Sequence, residues 1–266
     1  MPAPVASKRV LVTGGSAGIG QATCRVFAQQ GWDVVTTSRK GSGEGDYQWI
    51  PLDLNDPDSI ERCAEQVLAG GVPDVVVHNA GYGLIAPIET ADMQAMRDQF
   101  QANYFGTLDL ARRMMPGMRE RGTGLQAAIT SIGGRMAFPF FGHYNATKHA
   151  LEAAFEALHH ELRHSDLAVR IIEPGFTQTE FATHRMEKRY EDVAFYKSGL
   201  DTLADRLETG NTGTPPAVLG QLIFDACTKK TGLRHHAGSL AAPLLWARRL
   251  LPGRWFLAMV GRATNP

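Results

Sequence analysis

Up to residue 172 the chain alternates short β-branched or aliphatic runs with longer stretches of helical spacing. Arg9–Thr13 precedes a helical pattern over Gly18–Gln30, then come Asp33–Thr37 and Trp49–Leu52, the latter followed by Pro57–Ala69. Asp74–Val77 leads into a helical region from about Asp92 to Arg121, Leu125–Thr130 into one from about Tyr144 to His164, and Leu167–Ile172 ends the series. Strands that read as nearly unbroken Val, Ile and Leu are covered on both faces, which requires a parallel sheet with helices on each side. The predicted fold is a single-domain α/β, Rossmann-like doubly wound parallel sheet. No repeat or Pro/Gly/Ser-rich linker divides the chain, and Gly41–Gly45 is a short surface loop. The expected organisation is a tail at 1–7 and one domain over 8–266, with an excursion at 180–214 and an apolar extension at 235–266.

Composition narrows the function classes. Twenty-seven basic residues balance 27 acidic ones, so the electrostatic footprint of nucleic-acid binding is missing and no nucleic-acid partner is expected. Cys24, Cys63 and Cys227 are far apart and odd in number, which argues against a disulfide framework or a Cys-rich zinc site. No basic-then-apolar leader opens the chain, so a cytoplasmic location is expected. The apolar stretch Leu240–Val260 is interrupted by Pro243, Arg248, Arg249, Pro252, Gly253 and Arg254, and no transmembrane span is predicted.

The first strand joins the first helix through Val10-Leu-Val-Thr-Gly-Gly-Ser-Ala-Gly-Ile-Gly20. Glycines there permit positive φ and let a phosphate approach backbone N–H groups, while the helix beginning near Gly18 presents its positive end to a pyrophosphate. In such sites the second strand ends beside the adenosine ribose about 20 residues later, at Ser38 and Arg39. No carboxylate stands there to grip a ribose 2′-hydroxyl. Ser38 can instead donate a hydrogen bond, and Arg39 with Lys40 can pair with a 2′-phosphate, which favours NADP(H) over NAD. Asp53, after the third strand, can accept from the adenine amino group, and Asn79-Ala-Gly81 offers small residues where the ribose passes; both segments also read as ordinary turns.

Tyr144-Asn-Ala-Thr-Lys148 sets a phenol and an ammonium one helical turn apart, and Ser131 closes the preceding strand. With Thr13–Gly20, Asn79–Gly81, Asn103 and Pro174-Gly-Phe-Thr-Gln-Thr179, these residues resemble the short-chain dehydrogenase/reductase family over about Lys8 to Thr179. His78-Asn-Ala-Gly-Tyr-Gly-Leu84 and the apolar tail are similar to its hydroxysteroid and retinol dehydrogenase-like branch. The resemblance implies an oxidoreductase acting on CH–OH/C=O groups with a catalytic tetrad of Asn103, Ser131, Tyr144 and Lys148. It implies cofactor contacts from Gly14, Ser16, Gly18, Ile19 and Gly20, from Ser38, Arg39, Asp53 and Leu54, and from Asn79, Ala80 and Gly81. Tyr144 and Lys148 complete that set with a carboxamide clamp of Pro174, Gly175, Thr177 and Thr179.

The implied roles make physical sense. Ser131 steadies a developing oxyanion while Tyr144 delivers the proton, and in reverse Tyr144 is the base. A free tyrosine titrates near 10, so base chemistry near neutrality costs ~4 kcal/mol. One positive charge about 5 Å away supplies roughly 3 kcal/mol at an effective dielectric of ~20, so Lys148 together with an oxidised nicotinamide suffices. In the family Lys148 also binds the nicotinamide ribose and Asn103 holds a relaying water.

A second motif competes. His160-Glu-Leu-Arg-His164 has the letters of a zinc peptidase helix. At 100° per residue Lys148, Leu151, Phe155, Leu158 and Leu162 lie within about 40° of Tyr144, whereas His160 and His164 lie about 160° to 200° away. No metal is therefore expected.

Between Ser131 and Tyr144 the chain supplies Met136, Phe138, Phe140, Phe141 and His143, a charge-poor set suited to a lipophilic carbonyl or alcohol such as a steroid, retinoid or aryl ketone. The expected substrate contacts are Ser131, Met136, Phe138, Phe141 and His143, with Leu84–Ile88 and the excursion from Glu180 as further walls by resemblance. Core packing is the other reading of the phenylalanines. The tail around Trp246, Trp255, Phe256 and Met259 reads equally as a pocket cover, a subunit contact or a membrane-facing surface. A homodimer or homotetramer is expected, and the alternative function is an NADP(H)-binding regulatory protein with little turnover.

Overall fold

The structure, a computed structural model, describes residues 8–178, 194–208, 213–229, 231–238 and 240–264. The expectations for 1–7, for Thr179 and for most of 180–214 lie outside the described residues. Seven parallel strands form one sheet in the order β3-β2-β1-β4-β5-β6-β7. They are β1 (Arg9–Val12), β2 (Asp33–Ser38), β3 (Gln48–Pro51), β4 (Val75–His78), β5 (Gly124–Ile129), β6 (Leu167–Pro174) and β7 (Arg234–Ala237). The helices are α1 (Gly18–Gln29), α2 (Pro57–Ala69), α3 (Met93–Phe100), α4 (Thr107–Arg121), α5 (Gly142–Glu161), α6 (Ala194–Glu208), α7 (Pro216–Thr228), α8 (Ala241–Leu250) and α9 (Gly253–Thr264).

Strand periodicity sorts the core into layers. Val10, Val12, Val34, Val75 and Val77 face one way, onto Cys24 and Phe27 of α1 and Leu219, Ile223 and Phe224 of α7. Leu11, Val35 and Val76 face the other, onto Ile60 and Val67 of α2 and Leu110 and Met114 of α4. Farther along the same side, Ala128, Val169 and Ile171 meet Leu151 and Phe155 of α5. Every residue of β4 and β5 is buried, as parallel strands under two helical layers must be.

Three local features differ from the sequence reading. The helical region 92–121 is broken at Gln101–Gly106 by a wide π turn that carries Asn103, a geometry whose extra residue per turn leaves no periodic mark. The segment expected to be helical to His164 stops at Glu161, so His164 does not continue the face of His160. Arg163 Nε donates to His164 Nε2 at 2.9 Å, and both histidines are exposed. The apolar extension begins inside the sheet: β7 pairs with β6, and only the helices after it, α8 and α9, lie outside. Arg-His-His-Ala is a poor strand by composition and forms one because β6 supplies a complete edge to pair with.

Candidate active site

Strand order reverses at β1, whose neighbours are β2 and β4, and in open α/β sheets ligands bind at the carboxyl ends of strands beside such a switch point. The turn after β1 is folded tightly there. Gly14 has φ +72°, a Cβ on Gly15 would lie 2.0 Å from Thr36 Oγ1, and one on Gly20 would lie 2.2 Å from the Gly14 carbonyl oxygen. The turn is braced from β4: Asn79 Nδ2 donates to the carbonyls of Thr13 (2.9 Å) and Gly14 (3.3 Å), and Thr13 Oγ1 accepts from the amides of Asn79 (3.0 Å) and Ala80 (2.9 Å). No side chain caps the first N–H groups of α1, although Asp56 caps α2 by accepting from the Asp58 amide at 2.9 Å. Free donors, a positive helix end and close backbone access fit a dinucleotide pyrophosphate.

Around that turn, Ser16 is exposed, while Gly18 and Ile19 are half-buried at the start of α1. Ser38 uses its hydroxyl locally, donating to the Ser42 carbonyl (2.8 Å) and accepting from the Ser42 amide (3.1 Å). Arg39 and Lys40 stand exposed beyond β2. One Asp53 oxygen accepts from the Asn55 amide at 2.9 Å, and Leu54 is buried with its carbonyl accepting from Gln101 Nε2 at 3.4 Å. Gly81 is held against Asn103, whose Oδ1 would lie 2.8 Å from a Cβ there. Past Pro174, the Gly175 amide donates to the Ala237 carbonyl at 2.9 Å and Thr177 Oγ1 donates to the Gly175 carbonyl at 3.2 Å.

Ser131, Tyr144, Lys148 and Asn103 converge from three elements. Ser131 follows β5, accepts from the Gly133 amide at 3.0 Å and hydrogen-bonds Tyr144. Lys148 donates to the Ile129 carbonyl at 2.9 Å and lies 5.8 Å from the centre of the Tyr144 ring. The π turn aims Asn103 at the loop after β4: Nδ2 donates to the Tyr82 carbonyl (2.8 Å) and to Thr147 Oγ1 (3.1 Å), and Oδ1 accepts from the Tyr82 amide (2.9 Å). Thr147 in turn donates to the Tyr144 carbonyl at 2.8 Å. This residue, which the sequence reading passed over, thus ties Asn103 to the helix that bears Tyr144 and Lys148. Its only sequence signal is its place between them.

Electrostatics run opposite to the simple expectation. Burial pushes the Tyr144 phenol up to about 12, against a smaller lowering by the Ser131 hydrogen bond. Burial also brings the Lys148 ammonium down to about 8, opposed by the charge of Glu152. Without a cofactor, the desolvation of Tyr144 outweighs any help from Lys148.

Behind Lys148 stands a buried polar cluster that the sequence reading did not identify. Glu152 accepts from Thr130 Oγ1 at 2.5 Å and pairs with Arg234. Arg234 also reaches Glu173 (2.9 Å) and Glu156 (2.8 Å), and His236 Nδ1 lies 2.6 Å from Glu173 Oε2. Burial, then the neighbouring Glu173 carboxylate, raises Glu152 to about 7. The i,i+4 spacing of Lys148 and Glu152 was its one legible trace.

The expected substrate residues divide. Phe141, with its ring 6.4 Å from that of Tyr144, packs with Phe140 and Tyr196 against Ile85, Leu200 and Leu203. The described helix of the excursion, α6, and the loop at Ile85 are therefore packed into one apolar cluster with Phe141. Phe138 lies 5.9 Å from the Phe176 ring, and His143 is buried. Met136 is packed with Ile132 against Ala241, Phe256 and Val260 under the C-terminal helices. His78 is a core residue at the end of β4, 2.6 Å from Gln126 Oε1, and burial lowers it to about 4.

Comparison with known proteins agrees with this geometry. A family model described as short chain dehydrogenase matches residues 8–190. The chain is 33% identical over 257 residues to the "Uncharacterized oxidoreductase YbbO" of Escherichia coli, covering 94% of this chain and 93% of that protein. It is 31% identical over 225 residues to a 3-ketodihydrosphingosine reductase of Bacteroides thetaiotaomicron, covering 83% and 84%. Among solved structures, a short-chain dehydrogenase from Streptomyces avermitilis superposes with a TM-score of 0.82 at 30% identity, covering 98% of each chain. A Burkholderia cenocepacia short chain dehydrogenase in complex with NADP shares the fold, with a TM-score of 0.76 at 21% identity over 98% of each chain. The chain belongs to the short-chain dehydrogenase/reductase family of oxidoreductases.

Proposed function

We propose that this protein is an NADP(H)-dependent oxidoreductase that interconverts a lipophilic ketone and its secondary alcohol, with Tyr144 as general acid and base. The observation that carries the reading is the hydrogen bond between Tyr144 and Ser131 with Lys148 beside the phenol ring. The bound nicotinamide supplies the hydride and, when oxidised, a positive charge. Ser131 orients the carbonyl oxygen and donates to it as negative charge develops, and Tyr144 Oη delivers the proton. Lys148, with one of its three donors on the Ile129 carbonyl, would use the others to hold the nicotinamide ribose while its charge favours the Tyr144 phenolate. Asn103, fixed by Tyr82 and Thr147, holds the loop beside Gly81 in place.

NADP(H) is favoured because the exposed Arg39 and Lys40 stand past β2 where a carboxylate would repel a 2′-phosphate. The apolar wall of Phe140, Phe141, Ile85, Leu200 and Leu203 favours a lipophilic substrate. The relative named 3-ketodihydrosphingosine reductase acts, by its name, on a keto compound, the same class of group assigned here. The test is NADPH oxidation by the purified protein with steroid, retinoid, aryl and small aliphatic carbonyls, NADH run in parallel. Turnover of bulky apolar ketones with NADPH is expected; turnover restricted to small polar carbonyls, or equal with NADH, would overturn the assignment.

A further inference from the structure

The chain as a whole is charge-balanced, but residues 240–264 carry Arg248, Arg249, Arg254 and Arg262 and no Asp or Glu. This segment is the hairpin of α8 and α9. It is anchored from beneath by Phe256 and Val260, which pack one turn apart onto Ile132, Met136 and Ala241. The outer side is unusually apolar: of the twelve large hydrophobic residues exposed among the described residues, six fall in this hairpin. Trp255 is 60% exposed, Leu257 68% and Leu250 72%. The guanidinium groups rest on rings, Arg248 5.4 Å from the centre of Phe256 and Arg249 6.0 Å from that of Trp246. Among the described residues none of the four arginines has an ion-pair partner. Beneath the hairpin, Arg135 and Arg248 share a cavity of about 280 Å³ with His149, Met136, Phe256 and Leu257, a lining of guanidinium groups beside hydrocarbon.

We propose that the α8–α9 hairpin is a peripheral docking surface for an anionic lipid bilayer. Charge complementarity decides the partner. In a two-fold contact with a second copy, the same patch would face itself and bring two sets of four arginines into one interface with no carboxylate from either hairpin. A purely polar anion would leave the tryptophans and leucines in water, whereas an acidic bilayer offers phosphate at the depth of the arginines and acyl chain below it. With ten and twelve residues, α8 and α9 are too short to cross a bilayer, and no described helix is long and apolar enough to do so. The hairpin therefore lies in the plane of the interface. Since α9 packs against α6, the docked surface adjoins the helix that supplies Leu200 and Leu203 to the apolar wall.

Co-sedimentation of the full chain with phosphatidylcholine vesicles, with and without phosphatidylglycerol, tests this independently of turnover. Binding to the phosphatidylglycerol vesicles that weakens with salt is expected, with a blue shift of tryptophan emission. The charge variant Arg249→Glu/Arg254→Glu should lose at least about tenfold in affinity, and Trp255→Ser/Leu257→Ser should lose binding while both keep the wild-type melting temperature. Equal binding to both vesicle types, binding to neither, or unchanged binding by the variants would overturn the proposal. So would a stable dimer in sedimentation equilibrium that Trp255→Ser/Leu257→Ser dissociates, which would make the hairpin a subunit interface.

Discussion

Glu152 lies one helical turn beyond Lys148 on α5, both groups are buried, and the charge of Glu152 raises the proton affinity of the Lys148 amine against the opposing effect of burial. Glu152 is raised from its unfolded value to about 7. The folded protein therefore holds an extra proton between the two values. That contribution to stability is complete below the unfolded pKa and is lost as pH rises through 7. Glu152→Gln removes the titration, so its melting temperature should gain on the wild type by about 3–6 °C between pH 5 and pH 8.5, from an effect of about 1–2 kcal/mol. The same variant removes the charge that supports the ammonium, so the alkaline limb of kcat/KM should move to lower pH. Thermal melts and pH profiles check both; parallel melting curves across pH would show that Glu152 is ionised throughout.

Arg39→Ala should raise KM for NADPH about 10- to 100-fold, the usual worth of a charge-assisted contact to phosphate, and leave that for NADH within about twofold. Equal losses with both cofactors would remove Arg39 from the phosphate site.

Gly15→Ala places a methyl group 2.0 Å from Thr36 Oγ1 and 2.9 Å from Cys24 Sγ. The Thr36 hydroxyl is already donating to the Val12 carbonyl at 2.8 Å, so moving it away from the methyl group breaks a buried hydrogen bond. We expect a loss of about 1–3 kcal/mol, seen as a melting temperature lower by about 3–10 °C. The exposed Ser16→Ala should melt like the wild type.

The fold was legible because its strands are buried on both faces and announce themselves as apolar runs, and because Gly14, Gly18 and Gly20 mark the β1–α1 turn. The strand order came from the structure alone. β7 was hidden, since Arg234-His-His-Ala237 is made a strand by its neighbour rather than by its own residues. The π turn at Asn103 was hidden because a local insertion of helical geometry has no period. At the site, Tyr144, Lys148 and Ser131 were named as candidates from spacing and family pattern, and the structure places them side by side. The direction of the Tyr144 shift was not legible, because desolvation depends on what packs around the phenol in the folded chain. The Glu152–Arg234–Glu173 cluster joins residues 82 and 61 positions apart, a separation no local pattern reports.

Tyr144→Phe tests the central claim most directly. The variant keeps the ring that packs 6.4 Å from Phe141 and removes only the hydroxyl. Steady-state NADPH oxidation with the best ketone of the panel should fall about 10²- to 10⁴-fold in kcat, the span attributable to a general acid, while NADPH binding followed by fluorescence stays near wild type. A variant that binds NADPH normally and retains most of its kcat would contradict the assignment of Tyr144 as the proton donor.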